Sequence, residues 1–356
     1  MLRRIASAFA DLGSRFHGGE EAPGTEEEPS DPVTDGGTPA AASGSKRPLR
    51  HRDWVRALPF WLPPFLLVLL FVYGAISWNF VISLTGWEGL GEPSYSQLDF
   101  DMYVQFFEQV YDGAVERLNG GDTQIAEYNA FVNTFKLLIV FTVVSLGVGL
   151  GLAVLIDRGI RLENTFRTIY LLPMALSFVV TAILWRWMYR FDGGVINELL
   201  TAVGLGAFTQ NWLGDPQFKL YAVIFALTWQ FSGYCMIVYL AGLRAIPDDH
   251  YEAARVDGAS TLRMYWRVIL PQLRASTTSA AVVLMVFGLK AFDFIFVIFG
   301  GATPGPSADI MPILMYREAF GRTNWAYGSA VATILFLMAL GIIAPYLYTQ
   351  YKRGDL

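Results

Sequence analysis

Six stretches of mostly apolar side chains, at 58 to 84, 132 to 156, 166 to 188, 219 to 243, 276 to 299 and 326 to 349, constrain this chain more than any other feature. A bilayer core of about 30 Å takes about 20 residues of helix, and hydrocarbon leaves backbone amides no partners but one another. The chain is therefore expected to be an all-α membrane protein with six transmembrane helices. Its charged content of 16% agrees, since soluble domains carry about 25%. Pro63, Pro64, Pro173 and Pro345 mark helix starts or kinks.

Lys and Arg set the orientation. One side holds Lys46, Arg47, Arg50, Arg52 and Arg56, then Arg158, Arg161 and Arg167, then Arg244, Arg255, Arg263, Arg267 and Arg274, then Lys352 and Arg353. The other has only Arg117, Arg190, Lys219, Arg317 and Arg322. Both termini are expected in the cytoplasm, with the loop between spans four and five beside them. The acidic loop from 85 to about 131 then faces outward, and YVQFFEQVYDGAVERL within it reads as one amphipathic helix over the mouth of the bundle. In the second outer loop, GGVINELL reads as a turn and a short re-entrant or interfacial helix, and Trp185, Trp187 and Tyr189 read as an aromatic belt.

Residues 1 to 50 are rich in acid, Pro, Gly and Ser and are expected to form a disordered cytoplasmic tail ahead of a six-span domain at 51 to 356. At its start, Leu2, Ile5, Phe9, Leu12 and Phe16 fit an interfacial helix or a frayed end. In the second span, Gly147 and Gly151, with Ser145 and Gly149 interleaved, form a candidate packing face.

The usual machinery of an enzyme is missing. No Gly-Lys dipeptide occurs, so there is no phosphate-binding loop, and His17, His51 and His250 are too scattered for a zinc hydrolase. One cysteine, Cys235, excludes an intrachain disulfide. Intramembrane ionisable residues, which a gradient-driven carrier needs, are few: Lys136, Arg186, Lys290 and Asp293, the last two close enough along a helix to pair.

Against this background DDHYEAARVDGASTLRMYWRVILPQL, from Asp248 to Leu273, stands out between spans four and five. Asp248 or Asp249 can cap a helix with Glu252 completing the capping box, and Tyr251, Ala254 and Val256 give it a narrow apolar side. Gly258 permits a left-handed turn. Ser260 can cap a second helix whose apolar face is Leu262, Tyr265, Trp266, Ile269 and Leu270, before Pro271. Physics alone allows an interfacial hairpin or a helix held in a partner's groove.

The same stretch resembles the E-A-A-x-x-x-G-x9-I-x-L-P signature of permease subunits in ATP-binding-cassette importers. Glu252, Ala253, Ala254, Gly258, Leu270 and Pro271 match it, while Val268 replaces the usual isoleucine. EAARVDGAS, with Asp257, resembles the carbohydrate branch, the maltose and glycerol-3-phosphate type, and the likeness extends over roughly residues 55 to 356.

The resemblance implies that the loop is a coupling helix docked on a cytoplasmic ATPase subunit. It implies a second permease, two ATPase subunits that hold ATP and magnesium, and an extracellular sugar-binding protein. This chain itself would bind no cofactor, metal or nucleic acid and catalyse no reaction. Its place is the plasma membrane. Substrate is expected between helices near mid-membrane, where Phe231 and Tyr234 on span four and Phe287, Gly288 and Ala291 on span five share faces. Gln230, Lys290 and Asp293 are further candidates. The alternatives are an importer of glycerol-3-phosphate, polyamine or another small solute, a secondary carrier, and a membrane scaffold.

Overall fold

The computed structural model describes residues 50–157 and 161–353. The acidic tail and the apolar positions within it lie outside the described residues. The chain divides after Trp61, and the larger unit begins at Leu62.

Among the described residues the fold is helical, with one isolated bridge between Glu88 and Asn324 and no strand. Helix α1 (Arg50–Val68) passes through a π turn at Leu69–Tyr73 into α2 (Gly74–Ser83). Next come α3 (Asp101–Leu118), α4 (Ala126–Asp157), α5 (Glu163–Leu171), α6 (Phe178–Met188), α7 (Val195–Ala202) and α8 (Lys219–Arg244). The 248–273 segment contributes α9 (Asp248–Val256), α10 (Thr261–Met264), a π turn at Tyr265–Ile269 and α11 (Leu270–Gln272). The chain ends with α12 (Arg274–Leu289), α13 (Phe292–Phe299), α14 (Met311–Tyr316) and α15 (Trp325–Arg353). Among the described residues four helices are long and apolar enough to cross a membrane, or up to six if each of two bent pairs, 163–188 and 265–289, counts as one span.

Helices α4 and α8 pack face to face at the centre. A Cβ on Gly149 would lie 2.3 Å from Cys235 Cβ, so the absence of a side chain sets how closely these helices approach. Gly147 and Gly151 are exposed and face nothing within 4 Å. The packing face is Thr142, Ser145, Gly149 and Ala153 instead. Steps of three and four residues keep these on one side, whereas Gly147 sits two residues, or about 200°, away.

Three expected elements differ in form. The third span is not one helix: its halves, Glu163–Ala175 and Phe178–Met188, meet at 101°. Pro173 lies in the 3₁₀ turn before the bend, and Ser177 caps α6 by accepting from Val180 N at 3.3 Å. The fifth span breaks at Lys290 and Ala291, so 276 to 299 becomes α12 and α13. That break separates Lys290 from Asp293; both are exposed, and they form no ion pair in the structure. The aromatic belt is also thinner than expected. Trp185 and Tyr189 are only 4% and 3% exposed, and Trp187 alone of the three faces outward.

At the loop end opposite the coupling region, α3 is the expected amphipathic helix, burying Phe106 and Gly113 against α4 and α15. α7 follows a turn in which Gly193 has φ +70°. Nearby, Asn133 Nδ2 donates to the carbonyls of Pro306 and Asp309 at 2.8 and 3.0 Å, and Arg317 pairs with the buried Asp309 at 2.7 Å. Burial pushes the Asp309 carboxyl above its ordinary range, and Arg317 opposes that shift. Arg317→Leu strands this carboxylate and is expected to cost about 3 kcal/mol. Protonation relieves a stranded carboxylate, so stability should return as pH falls through its raised pKa and be lost as pH rises. Thermal unfolding at neutral and mildly acidic pH measures both effects.

Candidate coupling and substrate sites

The signature around Glu252 describes a helix stop. Helix α9 ends with Gly258 N–H donating to Arg255 O and Ala259 N–H donating to Ala254 O, both at 3.0 Å, with Gly258 at φ +70°. This is a Schellman closure, which calls for glycine at the left-handed position and a small apolar contact behind it. Ala254 is the buried residue of α9. Glu252, Ala253, Asp257 and Gly258 are exposed.

Three local expectations change. Pro247 occupies the N-cap with no side-chain hydrogen bond, so the Asp249 and Glu252 capping box does not form. Asp248 and Asp249 instead lie in the first turn, where the helix dipole favours negative charge. Val256 is 87% exposed and belongs to no apolar side. In the second helix the π turn shifts the register, so the buried face is Met264, Ile269 and Leu273, while Trp266 is 67% exposed. Ser260 heads that helix through its backbone, its carbonyl accepting from Met264 N at 2.9 Å. Leu270 is half-buried and Pro271 exposed; lacking an N–H, Pro271 stands just before the 62° bend into α12.

Sequence reading missed an ion-pair joint at the end of the bundle from which this hairpin leaves. Glu163, at the start of α5, accepts from Arg167 and from Arg244 Nη2, the latter at 2.6 Å, which links the third and fourth spans at this end. The Glu163 and Arg167 spacing was legible as an i, i+4 pair; the Arg244 contact is purely tertiary. Between them and α9 lies a cavity of about 550 Å³ lined by Asp157, Arg244, Tyr251, Glu252, Arg255 and Met264. Burial and the neighbouring Asp157, Tyr265 and Asp248 push the Tyr251 hydroxyl up to about 12, so it stays protonated at neutral pH.

Of the other candidate residues, Gln230, Phe231 and Phe287 come together where the third span bends. Phe231 and Phe287 lie 4.7 Å apart, with Phe178 at 5.8 and 6.2 Å from them and Phe141 at 5.8 Å from Phe231. Gln230 is 2% exposed, and its Nε2 donates to Leu176 O at 2.9 Å, satisfying a carbonyl freed by the bend. Gln230→Leu is therefore expected to cost about 1 to 3 kcal/mol by leaving that carbonyl unpaired, read as a lower unfolding temperature. Tyr234 is half-buried, as is Phe287. Gly288 and Ala291 are buried, and a Cβ on Gly288 would lie 2.8 Å from Leu138 Cδ2. Gly288 thus serves contact with α4.

Comparison with known proteins bears on the chain as a whole. Residues 144–354 match the family model described as binding-protein-dependent transport system inner membrane component. A xylose/arabinose import permease of Haloferax volcanii is 51% identical over 306 residues, covering 86% of this chain and 91% of the relative. A trehalose/maltose transport permease of Thermococcus litoralis is 30% identical over 228 residues, 64% of this chain and 76% of the relative. Among solved structures, a chain of a bacterial importer of the acidic polysaccharide alginate superposes with TM-score 0.67 at 22% identity, covering 85% of this chain and 96% of that one. The family match covers more than half of the chain, including the 248–273 hairpin and both bent helix pairs, and this protein belongs to the binding-protein-dependent transport system inner membrane components.

Proposed function

We propose that this chain is the permease subunit of an ATP-driven sugar importer in the plasma membrane, moving substrate by alternating access and catalysing no reaction. The observation that carries the reading is the Schellman-closed hairpin, which holds Glu252, Ala253, Asp257 and Gly258 exposed while Ala254 anchors it. The relatives named for xylose and arabinose and for trehalose and maltose support a sugar as substrate. In this reading the third span is bent and the fifth, 276 to 299, is broken, making six spans with both termini inside, and residues 51 to 356 form the permease domain behind a cytoplasmic tail.

Glu252, Ala253, Ala254, Asp257, Gly258, Leu270 and Pro271 form or shape the joint with an ATPase subunit. Closure of an ATPase pair holding ATP and magnesium pushes on α9. The Glu163 and Arg244 clasp carries that push into the third and fourth spans. The bend they flank brings Phe231 and Phe287 together, and Tyr234, beside them on α8, is the hydroxyl offered to a sugar. Gln230, Gly288 and Ala291 hold that region in shape, and Lys290 and Asp293 mark its exposed edge. A second permease completes the pathway, and an extracellular sugar-binding protein delivers substrate.

The test is uptake of a radiolabelled sugar panel by vesicles containing the assembled complex, with and without ATP. Uptake that follows an ion gradient without ATP fits a secondary carrier. Uptake of a polyamine or glycerol phosphate in place of every sugar fits the other importer reading.

A further inference from the structure

Two carboxylates flank one guanidinium at the end of the bundle from which the hairpin leaves. Glu163, opening α5, accepts from Arg167 and from Arg244, the latter at 2.6 Å, and both contacts fall on the same oxygen, Oε1. Asp157, closing α4, lies near enough that Arg244 and Glu163 are the charges acting on it. Among the described residues, however, Asp157 forms no ion pair. One carboxylate thus holds two cations and its neighbour none.

Asp157 is costly where it stands. It is half-buried and is the last residue of α4, where the carbonyl end of the helix disfavours negative charge. It borders the cavity of about 550 Å³ beneath α9, whose lining cations are Arg244 and Arg255. That space leaves room for Arg244 to turn from Glu163 toward Asp157. The exchange strands no charge, because Glu163 keeps Arg167, and breaking an ion pair is expensive where one partner is left alone. Arg244 also ends α8 and is joined to α9 through Ala245, Ile246 and Pro247, so a swing of the hairpin bears on it directly.

We propose that Asp157 is a second station for Arg244: the guanidinium sits on Glu163 in the conformation seen here and passes to Asp157 when α9 closes the cavity against the end of α4. Asp157 is then a positioning residue of the transport cycle and touches no substrate. Two alternative pairings give the joint two discrete positions in place of a continuous bend. What drives the exchange rests on the importer reading, whereas the exchange itself needs only this chain.

The test uses the purified full-length chain in lipid nanodiscs, without partners, with spin labels at Val143→Cys on α4 and Val256→Cys on α9, both exposed, and the buried Cys235 replaced by Ala. Electron–electron distance measurement should resolve two populations. Glu163→Gln weakens the first station and Asp157→Asn the second, so their ratio should move about threefold in opposite directions, the scale of a partly exposed ion pair. The double variant should return toward the wild-type ratio, whereas purely structural damage would accumulate. Shifts in the same direction, a single distance unchanged by every variant, or Arg255→Gln reproducing Asp157→Asn overturns the assignment. In the assembled complex, basal ATPase activity should rise in one single variant and fall in the other, and equal rates overturn the coupling role. Uptake that needs no ATP, with the opposite distance shifts intact, removes the importer reading and leaves the exchange standing.

Discussion

Gly258→Asp is expected to abolish ATP-dependent sugar uptake by the assembled complex while leaving the subunit folded. The separation of the two effects follows from the surroundings of this residue. No atom lies within 4 Å of where a Cβ would sit, so the added side chain meets open space. The left-handed conformation at φ +70° costs a non-glycine residue about 1 kcal/mol, and Asp tolerates it better than most. A partner seated on the exposed hairpin meets a carboxylate where it had bare backbone. A disrupted interface centre typically costs 2 kcal/mol or more, about thirtyfold in affinity. Glu252→Lys should behave alike, since Glu252 is exposed and forms no ion pair in the structure. The checks are ATPase co-purification, binding-protein recruitment and uptake. Normal uptake in both variants would make the segment an interfacial hairpin and remove the proposed joint.

Gly233→Val should fail in the opposite way, by loss of the fold before any loss of coupling. A Cβ at this position would sit 1.9 Å from the carbonyl oxygen of Tyr170 and 2.5 Å from its carbon. The obstacle is backbone at the end of α5, so no side chain can swing aside. Overpacking in a dense core costs about 1 to 3 kcal/mol even where side chains can adjust, and here the first half of the third span must move off α8. That displacement also strains the Gln230 bond to Leu176, one turn away on the same helix. The expected result is poor membrane accumulation and a much lower unfolding temperature, with Gly233→Ala intermediate. An unfolding temperature unchanged by Gly233→Ala would mean that the bent span is not seated on this glycine.

Contrasting these two glycines shows what a sequence can convey. Gly258 was readable because its need is local: it ends α9, and the backbone angle that requires glycine depends on the chain immediately around it. Gly233 gave no such signal, and Gly149 was legible only as one of several small residues along its helix. Their need arises from a second helix pressed against them, and no pattern along α8 or α4 names that partner. Gly147 and Gly151 matched the small-residue spacing yet face nothing, because spacing identifies a side of the helix without saying which side is used.

The same division separates the spans from their shapes. Six apolar stretches, a charge asymmetry and the coupling signature were determined by the sequence, since burial in hydrocarbon and helix termination act residue by residue. The 101° bend in the third span, the break between Lys290 and Ala291, and the Glu163 clasp on Arg244 were decided by tertiary structure. Each trades helical hydrogen bonds for contacts with distant segments, such as the Gln230 amide on Leu176. That exchange is favourable only once the distant segment is in place, so its free energy is a property of the assembled bundle and of no single stretch of the chain.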